Sequence, residues 1–444
     1  MKKLLLVTTA LAGVAMMSAP ASAAVKMDLG GFFRGYGVWA DNDEPTGTPS
    51  LYTFEFRRNT ELWASGETTL DNGLTIGAHT ELRLANGADT TITDEIYGYA
   101  SGGWGRFNLG DEDGAAYLLQ VNAPSADSNI DGIRLGIQGL NPASTVDGFS
   151  TVGGAIGVFP ALTAATYAFG NNGLVQYAHS DFASNTASRT DRLTYLTPKF
   201  NGFQAGASYA PRSGLPGSTA GMAVDDDGFG LFTDGGVIDS VADYQDLWEA
   251  SARYDGEFEG FAFGIGAGYS DSTIEETPSA AAGDFDATDD LGGYYLNDGI
   301  RSWNGVLSIA SQGFSLGGAY KFTETSRITD DDDTVAEDLV SGDITSETWV
   351  VGVGYDNGPW HAGASYLNTD TELDALIGGT GDNPIFATGR EDTRYTVGGG
   401  YTFGPGMTFR GAVAWGDFDN TSTGAFPEDD NNFTQVTVGT DIKF

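Results

Sequence analysis

Residues 435–444 read Gln-Val-Thr-Val-Gly-Thr-Asp-Ile-Lys-Phe, and this stretch decides the fold class. Apolar side chains stand at every second position, at Val436, Val438 and Ile442, and polar ones such as Asp441 stand between them. Successive side chains of a β-strand point to opposite faces of the sheet. The stretch therefore predicts a strand with one apolar face and one hydrated face.

The same alternation recurs upstream, with aromatic residues at the ends of the apolar faces. Trp248 and Tyr254 bracket the small residues Ala250 and Ala252. In a soluble β-sandwich, large aliphatic side chains should fill such a face, because it packs against a second sheet. Aromatic rings at strand ends instead suit the two interfacial girdles of a membrane barrel, and only a closed barrel satisfies every backbone group of a sheet in lipid.

The connections alternate between very short and long. Tight turns such as Asp71-Asn72-Gly73 and Gly404-Pro405-Gly406 carry hairpin residues, whereas polar stretches such as 212–246 and 271–299 separate them. We therefore predict an all-β fold, a transmembrane antiparallel β-barrel of about 16 strands, with fourteen or eighteen as alternatives. The predicted strands are 25–40, 51–67, 73–86, 92–101, 105–111, 189–197, 201–211, 247–255, 260–270, 300–310, 313–323, 346–355, 359–368, 392–403, 406–416 and 432–444.

The first residues predict export. Lys2 and Lys3 precede a short apolar run, and Ala21-Ser22-Ala23 follows it, so residues 1–23 are interpreted as a cleaved signal peptide. A buried N-terminal helix or a retained anchor is the alternative. Residues 24–444 then form one barrel, since no shift in composition marks a domain boundary.

Composition excludes several classes of protein. The absence of cysteine excludes disulfides, thiolate catalysis and cysteine metal sites. The formal net charge of −40 opposes binding to nucleic acid, because the chain repels phosphate. An aromatic content of 12% argues against a disordered chain.

One connection, at about 112–188, is much longer than an ordinary loop. Within it, residues 152–169 are mostly apolar, but Pro160 and several glycines oppose a transmembrane helix. We interpret the connection as a loop that packs inside the barrel or at a subunit contact.

Three stretches resemble the general, non-specific diffusion porins of Gram-negative bacteria, and in particular their alphaproteobacterial branch. They are residues 102–110 (GGWGRFNLG), residues 192–203 (RLTYLTPKFNGF) and the last strand, which ends in Phe444. The resemblance implies a homotrimer of sixteen-stranded barrels, each with a long constriction loop folded into its lumen. It also implies that the barrel-assembly machinery recognises Phe444 as an assembly signal. The long connection stands where that loop is expected, at roughly twice the expected length.

Side-chain parity predicts which residues line the pore. If the aromatic face meets lipid, arginines of neighbouring strands face the lumen, and carboxylates of the long connection lie opposite them. Such an arrangement gives a transverse field that filters solutes by size and polarity. Arg58 falls on the lipid-facing parity, which a bulge or a subunit interface would explain. The predicted pore-lining or constriction residues are Arg34, Arg57, Arg83, Arg106, Glu55, Glu81, Glu112, Asp113, Asp127 and Asp131.

These features predict an outer-membrane porin, a water-filled channel for passive diffusion of small hydrophilic solutes and ions with weak cation preference. The alternatives are a channel selective for a sugar or an anion, and a plugged structural or adhesin barrel. An enzyme is not expected, because the chain has three histidines and none lies in a recognisable catalytic motif.

The expected partners are outer-membrane lipid and lipopolysaccharide. No cofactor is expected. Asp330, Asp331, Asp332 and Asp333 lack the spacing of a dedicated calcium loop, which leaves only loosely bound Ca²⁺ in the acidic outer loops as an alternative.

Overall fold

The structure is a computed structural model of the 444-residue chain. It describes residues 25–42, 53–84, 91–124, 182, 190–213, 243–275, 294–295, 300–326, 328–329, 343–373, 375–377, 385–387, 390–420 and 429–444. The predicted signal peptide, the apolar stretch 152–169 and the acidic run 330–333 lie outside these residues.

The described residues form twenty strands and one short helix. The strands are β1 (Lys26–Asn42), β2 (Phe54–Thr69), β3 (Thr75–Leu84), β4 (Thr91–Gly102), β5 (Gly105–Glu112), β6 (Thr190–Leu196), β7 (Phe203–Ser213), β8 (Asp243–Phe258), β9 (Phe261–Glu275), β10 (Tyr294–Tyr295), β11 (Ile300–Ser311), β12 (Phe314–Ser326), β13 (Ile328–Thr329), β14 (Asp343–Asn357), β15 (Trp360–Leu373), β16 (Ala375–Ile377), β17 (Ile385–Ala387), β18 (Arg390–Gly404), β19 (Met407–Asn420) and β20 (Asp429–Lys443). The helix, α1, spans Ala115–Leu118.

Sixteen of the strands form one closed antiparallel barrel, in which each strand pairs with its sequence neighbours and β20 pairs back onto β1. The predicted fold class and strand count are therefore confirmed, and each predicted strand overlaps one strand of the barrel. The remaining four, β10 with β13 and β16 with β17, form two small sheets within the long connections. These small sheets were not predicted.

The short hairpins follow from their turn residues. The β8–β9 and β11–β12 turns are two-residue loops, with Phe258 opposite Phe261 and Ser311 opposite Phe314. Both central residues of each loop have positive φ, at 49° and 81° for Glu259-Gly260. This backbone defines the type I′ turn, whose twist matches that of the flanking strands.

Several strands extend further from the short turns than alternation predicts. β8 begins at Asp243 rather than at 247, and its register shifts between Gln245 and Trp248, where Asp246 has a φ of 48°. Beyond the aromatic girdle, the hydrogen bonding between β8 and β9 continues through a polar segment. Because that segment does not alternate apolar with polar residues, periodicity could not reveal it.

Large apolar side chains cover the outer surface of the barrel, and aromatic rings form belts at two levels. Near the long connections, Tyr320 contacts both Trp303 and Trp349, with ring centroids 4.9 and 4.3 Å away. Near the short turns, Trp360 and Tyr401 lie 4.6 Å apart. Between the levels, Val351 is 51% exposed although it lies mid-strand. An apolar outer surface of this kind is suited to contact with lipid rather than with water.

Polar side chains, in contrast, occupy the inner wall and are buried there. Thr194, Ser270 and Ser302 are each 0% exposed, and Arg192 and Glu249 are 2% and 3% exposed. Among the described residues, no helix is long and apolar enough to cross a membrane. The inner wall is therefore the surface on which a functional site must be sought.

Candidate functional site: the inner wall of the barrel

A cluster of ionisable groups lies on β2, β3 and β4. Arg83 donates to Asp94 on the neighbouring strand at 2.8 Å, and Asp94 is only 5% exposed. This pairing depends on an irregularity, because the register shifts at Glu81 and Leu82, which pair with Glu95 and Thr93. Arg83 therefore has a partner on the wall itself, whereas the sequence placed its partners on the long connection.

Two further predicted arginines lie against aromatic rings of the inner wall. The guanidinium carbon of Arg34 lies 4.2 Å from the centroid of the Phe32 ring. That of Arg106 lies 3.9 Å from the Tyr99 centroid, and its Nε donates to Asn108 at 2.6 Å. Such cation–π contacts hold the two planar groups in place.

Glu55 and Arg57 lie on β2, opposite Val38 and Tyr36 of β1. Their side chains are outside the described part of the chain. The predicted carboxylates Asp127 and Asp131 fall outside it altogether.

Glu112 and Asp113 do not lie across the lumen from the arginines. Glu112 ends β5 and is buried, and both its oxygens accept from Nδ2 of Asn108, at 2.7 and 2.9 Å. The backbone N–H of Asp113 donates to Glu95 of β4. Glu112 thus belongs to the wall, because β5 continues one residue further than the sequence indicated, and Asp113, which follows it directly, is held beside β4. The prediction of a basic wall that faces an acidic loop is therefore wrong for these two carboxylates.

A buried ion pair fixes the start of the long connection. Arg192 of β6 and Glu249 of β8 are 2.9 Å apart, with side chains 1% and 2% exposed. Oγ of Ser208 donates to the same Glu249 oxygen at 2.9 Å and accepts from the backbone N–H of Ala115 at 3.1 Å. The Glu249 carboxylate also accepts from the backbone of Ala115 and Ala116. We call Arg192, Ser208 and Glu249 the anchor.

From the anchor, residues 113–124 cross the inner wall. Ser251 donates to the carbonyl of Ala115 at 2.5 Å, and Arg253 donates to that of Gln120 at 3.3 Å. Asn304 of β11 then donates to Gln120 at 2.9 Å. These contacts lead the first described part of the long connection from β5 past β8 and β9 to β11, over inward-facing side chains.

Small residues on the wall make room for this segment. A Cβ atom on Gly266 would lie 2.9 Å from Val121, and one on Gly352 would lie 1.6 Å from the carbonyl oxygen of Pro124. The close approach of the segment to the wall therefore depends on glycine at these two positions.

A third group closes the barrel between its first and last strands. The hydroxyl of Tyr36 on β1 donates to Asp441 on β20, and Arg410 of β19 pairs with Asp441 at 3.0 Å. At the rim, Phe444 exchanges backbone hydrogen bonds of 2.9 and 3.0 Å with Gly31. The predicted assembly residue thus completes the ladder, and its ring remains 65% exposed.

Alternation along the sequence does not reveal the anchor. Glu249 stands between Trp248 and Ala250, on the inward parity of a strand whose outward face was recognised. That parity could have shown that Glu249 faces inward. Its pairing with Arg192 depends on the arrangement of β6, β7 and β8, which alternation does not reveal.

Comparisons with known proteins agree with this architecture. Similar solved structures include OmpF of Salmonella typhi in complex with daunomycin, which is 16% identical with a TM-score of 0.52 and covers 94% of this chain and 98% of its own. An anion-selective porin from Comamonas acidovorans is 14% identical with a TM-score of 0.51, over 95% and 100%. OmpT of Vibrio cholerae, in its trimer form, is 11% identical with a TM-score of 0.50, over 95% and 99%.

At these identities the solved structures establish the fold alone. No curated protein sequence gives a significant match. A family profile described as "Gram-negative porin" matches residues 8–421, which is most of the chain. This chain therefore belongs to the Gram-negative porin family, whose barrels form channels in the outer membrane.

Proposed function

We propose that this protein is a general diffusion channel, which passes small hydrophilic solutes and ions across the outer membrane with weak preference for cations. The observation that carries the proposal is the inverted distribution of polarity, with polar and charged side chains buried on the inner wall and apolar side chains exposed outside. Barrels of sixteen strands are wide enough to hold an aqueous channel.

The segment 113–124 supports a constriction. It leaves β5, is held by the anchor and runs along the inner wall as far as β14, where Pro124 lies against Gly352. A segment that occupies the inside of a barrel narrows the path left for water and solutes. The arginines at Arg34, Arg83 and Arg106 and the carboxylates beside them then set the local field for a passing ion.

The charge of the chain supports cation preference. The net charge of −40 gives a negative potential, which raises the local concentration of cations. A channel specific for anions would need an excess of basic groups along its lumen. The porin from Comamonas acidovorans is described as anion-selective, so selectivity varies among proteins of this fold.

A homotrimer would explain the position of Arg58. This residue is exposed on the outer face and pairs with Gly35, midway along β1 between the rim at Gly31 and the aromatic Trp39. The β1–β2 register runs without a shift there, so no bulge turns Arg58 inward. Arginine on a lipid face at mid-depth costs about 2–4 kcal/mol. Contact with a neighbouring subunit over this face would remove that cost, and OmpT of Vibrio cholerae is described in a trimer form.

Single-channel recording in a planar bilayer tests the proposal directly. We expect stepwise openings in groups of three and a reversal potential in a salt gradient that indicates weak cation preference. A correctly folded protein that conducts no current would overturn the channel in favour of a plugged barrel. A reversal potential of opposite sign would favour an anion channel.

A further inference from the structure

Three metal-ligand side chains converge on the inner wall. His79, Glu81 and Glu95 each offer one ligand atom, and these atoms all lie within 4.8 Å of one another. All three residues are half-buried, and β3 and β4 pair directly at this point. We call them the His79 cluster. Ligand atoms of one tetrahedral ion at bond lengths of 2.0–2.2 Å lie about 3.3–3.6 Å apart, so side-chain shifts of up to about 1.5 Å would complete the site.

Both nitrogens of the His79 imidazole ring have a partner on the wall. Nδ1 of His79 lies 2.7 Å from Oγ of Ser65 on β2, and Nε2 lies 2.8 Å from Oε1 of Glu81. Metal-bound histidines characteristically use one ring nitrogen for a hydrogen bond of this kind, which fixes the ring and directs the other nitrogen at the ion. An ion bound by both Nε2 and Glu81 would replace this hydrogen bond.

Several carboxylates surround the cluster. Glu61 of β2 and Asp94 of β4 form a second group of ligand atoms with Glu81, also within 4.8 Å. Asp94 is paired with Arg83, and Glu61 adds a further carboxylate oxygen close to Glu81. The backbone N–H of Asp113 orients Glu95 from the other side.

We infer that His79, Glu81 and Glu95 form a binding site for a divalent transition-metal ion of the Zn²⁺ class on the inner wall of the barrel. The ligand set selects the ion. Imidazole with carboxylates is a common donor set for Zn²⁺, whereas Ca²⁺ and Mg²⁺ prefer oxygen ligands only. Ser65 is the positioning residue, because it touches the ring and not the ion.

The site would also control current. A bound divalent ion adds two positive charges to the inner wall, so it reduces the cation current past it. This consequence rests on the proposed channel function, whereas metal binding itself does not.

Calorimetric titration of the refolded protein in detergent with Zn²⁺ tests the site. One Zn²⁺ is expected per chain. His79→Gln, which keeps a polar side chain of similar size but removes the imidazole, should weaken binding at least tenfold, and Glu95→Gln should do the same. Ser65→Ala should weaken it less than either, because it removes only the support of the ring.

His361→Gln is the matched control. His361 lies 2.9 Å from Asp356 near a short turn, away from the cluster, so its substitution should leave the affinity unchanged. A hundredfold excess of Ca²⁺ should not displace Zn²⁺. The inference is overturned if the wild-type protein binds no Zn²⁺, if His79→Gln binds as the wild type does, or if Ca²⁺ competes equally.

Bilayer recording separates the site from the channel. Micromolar Zn²⁺ should lower the conductance of the wild type and leave that of His79→Gln unchanged. A protein that binds Zn²⁺ in the calorimeter but conducts nothing would refute the channel and retain the site. Unaltered conductance with stoichiometric binding would refute only the effect on current.

Discussion

Removal of the Glu249 carboxylate should release the inward segment from the wall. In Glu249→Ala the buried Arg192 guanidinium loses this carboxylate, and the backbone N–H groups of Ala115 and Ala116 lose an acceptor. Breaking a buried ion pair from one side costs about 3–5 kcal/mol. If this cost falls on docking of the segment, the docking equilibrium weakens about a hundredfold to a few thousandfold.

The natural absence of cysteine makes this equilibrium measurable. Leu119 is 5% exposed in the docked segment, so a thiol in Leu119→Cys can react with a water-soluble reagent only after undocking. The labelling rate should rise by about the same factor in Glu249→Ala, and the single-channel conductance should increase. Both measurements use barrels that first show normal resistance to unfolding in SDS at room temperature.

The matched control removes both charges. In Arg192→Leu with Glu249→Leu no buried charge is left unpaired, and such replacements are often neutral or stabilising. Labelling of Leu119→Cys in this background should lie much closer to the wild-type rate. Equal labelling rates in the wild type and in Glu249→Ala would refute the view that the anchor holds the segment.

Three further predictions concern the barrel itself. Val397→Arg places a charge on the outer face and should lower the free energy of unfolding in lipid by about 2–4 kcal/mol. Thr396→Arg, one residue earlier and facing inward, should cost much less. Urea titration of both variants in vesicles measures the difference. Gly202→Ala should lower the refolding yield, because Gly202 has a φ of 89° and a Cβ atom there would lie 2.0 Å from the carbonyl oxygen of Asp255. Gly103→Ala should refold normally, because a Cβ atom at that position would have no neighbour within 4 Å. Deletion of Phe444 should slow assembly into the outer membrane, since it removes the backbone pair with Gly31; an unchanged rate in pulse-labelled cells would contradict this role.

The strands could be predicted from sequence because alternation is a local property. A lipid-facing strand such as β14 shows Trp349, Val351 and Val353 at every second position, and no knowledge of its neighbours is needed. The short turns are local in the same sense, since Glu259-Gly260 determines its own backbone. The family resemblance, confirmed by the profile match over 8–421, added the order of these elements.

The contacts of the inner wall depend on register, which the sequence does not show. Arg83 meets Asp94 because one irregularity shifts β3 against β4, and Glu249 meets Arg192 across the intervening β7. Alternation could indicate which side chains face inward but not which of them touch. The signal peptide, the trimer and the carboxylates Asp127 and Asp131 stay predictions.

The pairing of β1 with β20 bears on how this protein can be made. Phe32 is paired with Lys443, so the ladder that seals the barrel joins opposite ends of the chain. Pairings between such distant residues form slowly, because the long loop must be closed before any hydrogen bond is gained. Until the last strand arrives, β1 keeps an open edge that can pair with other chains. We therefore expect the polypeptide to be prone to aggregation until β20 pairs with β1, and a chain truncated before β20 should aggregate or be degraded.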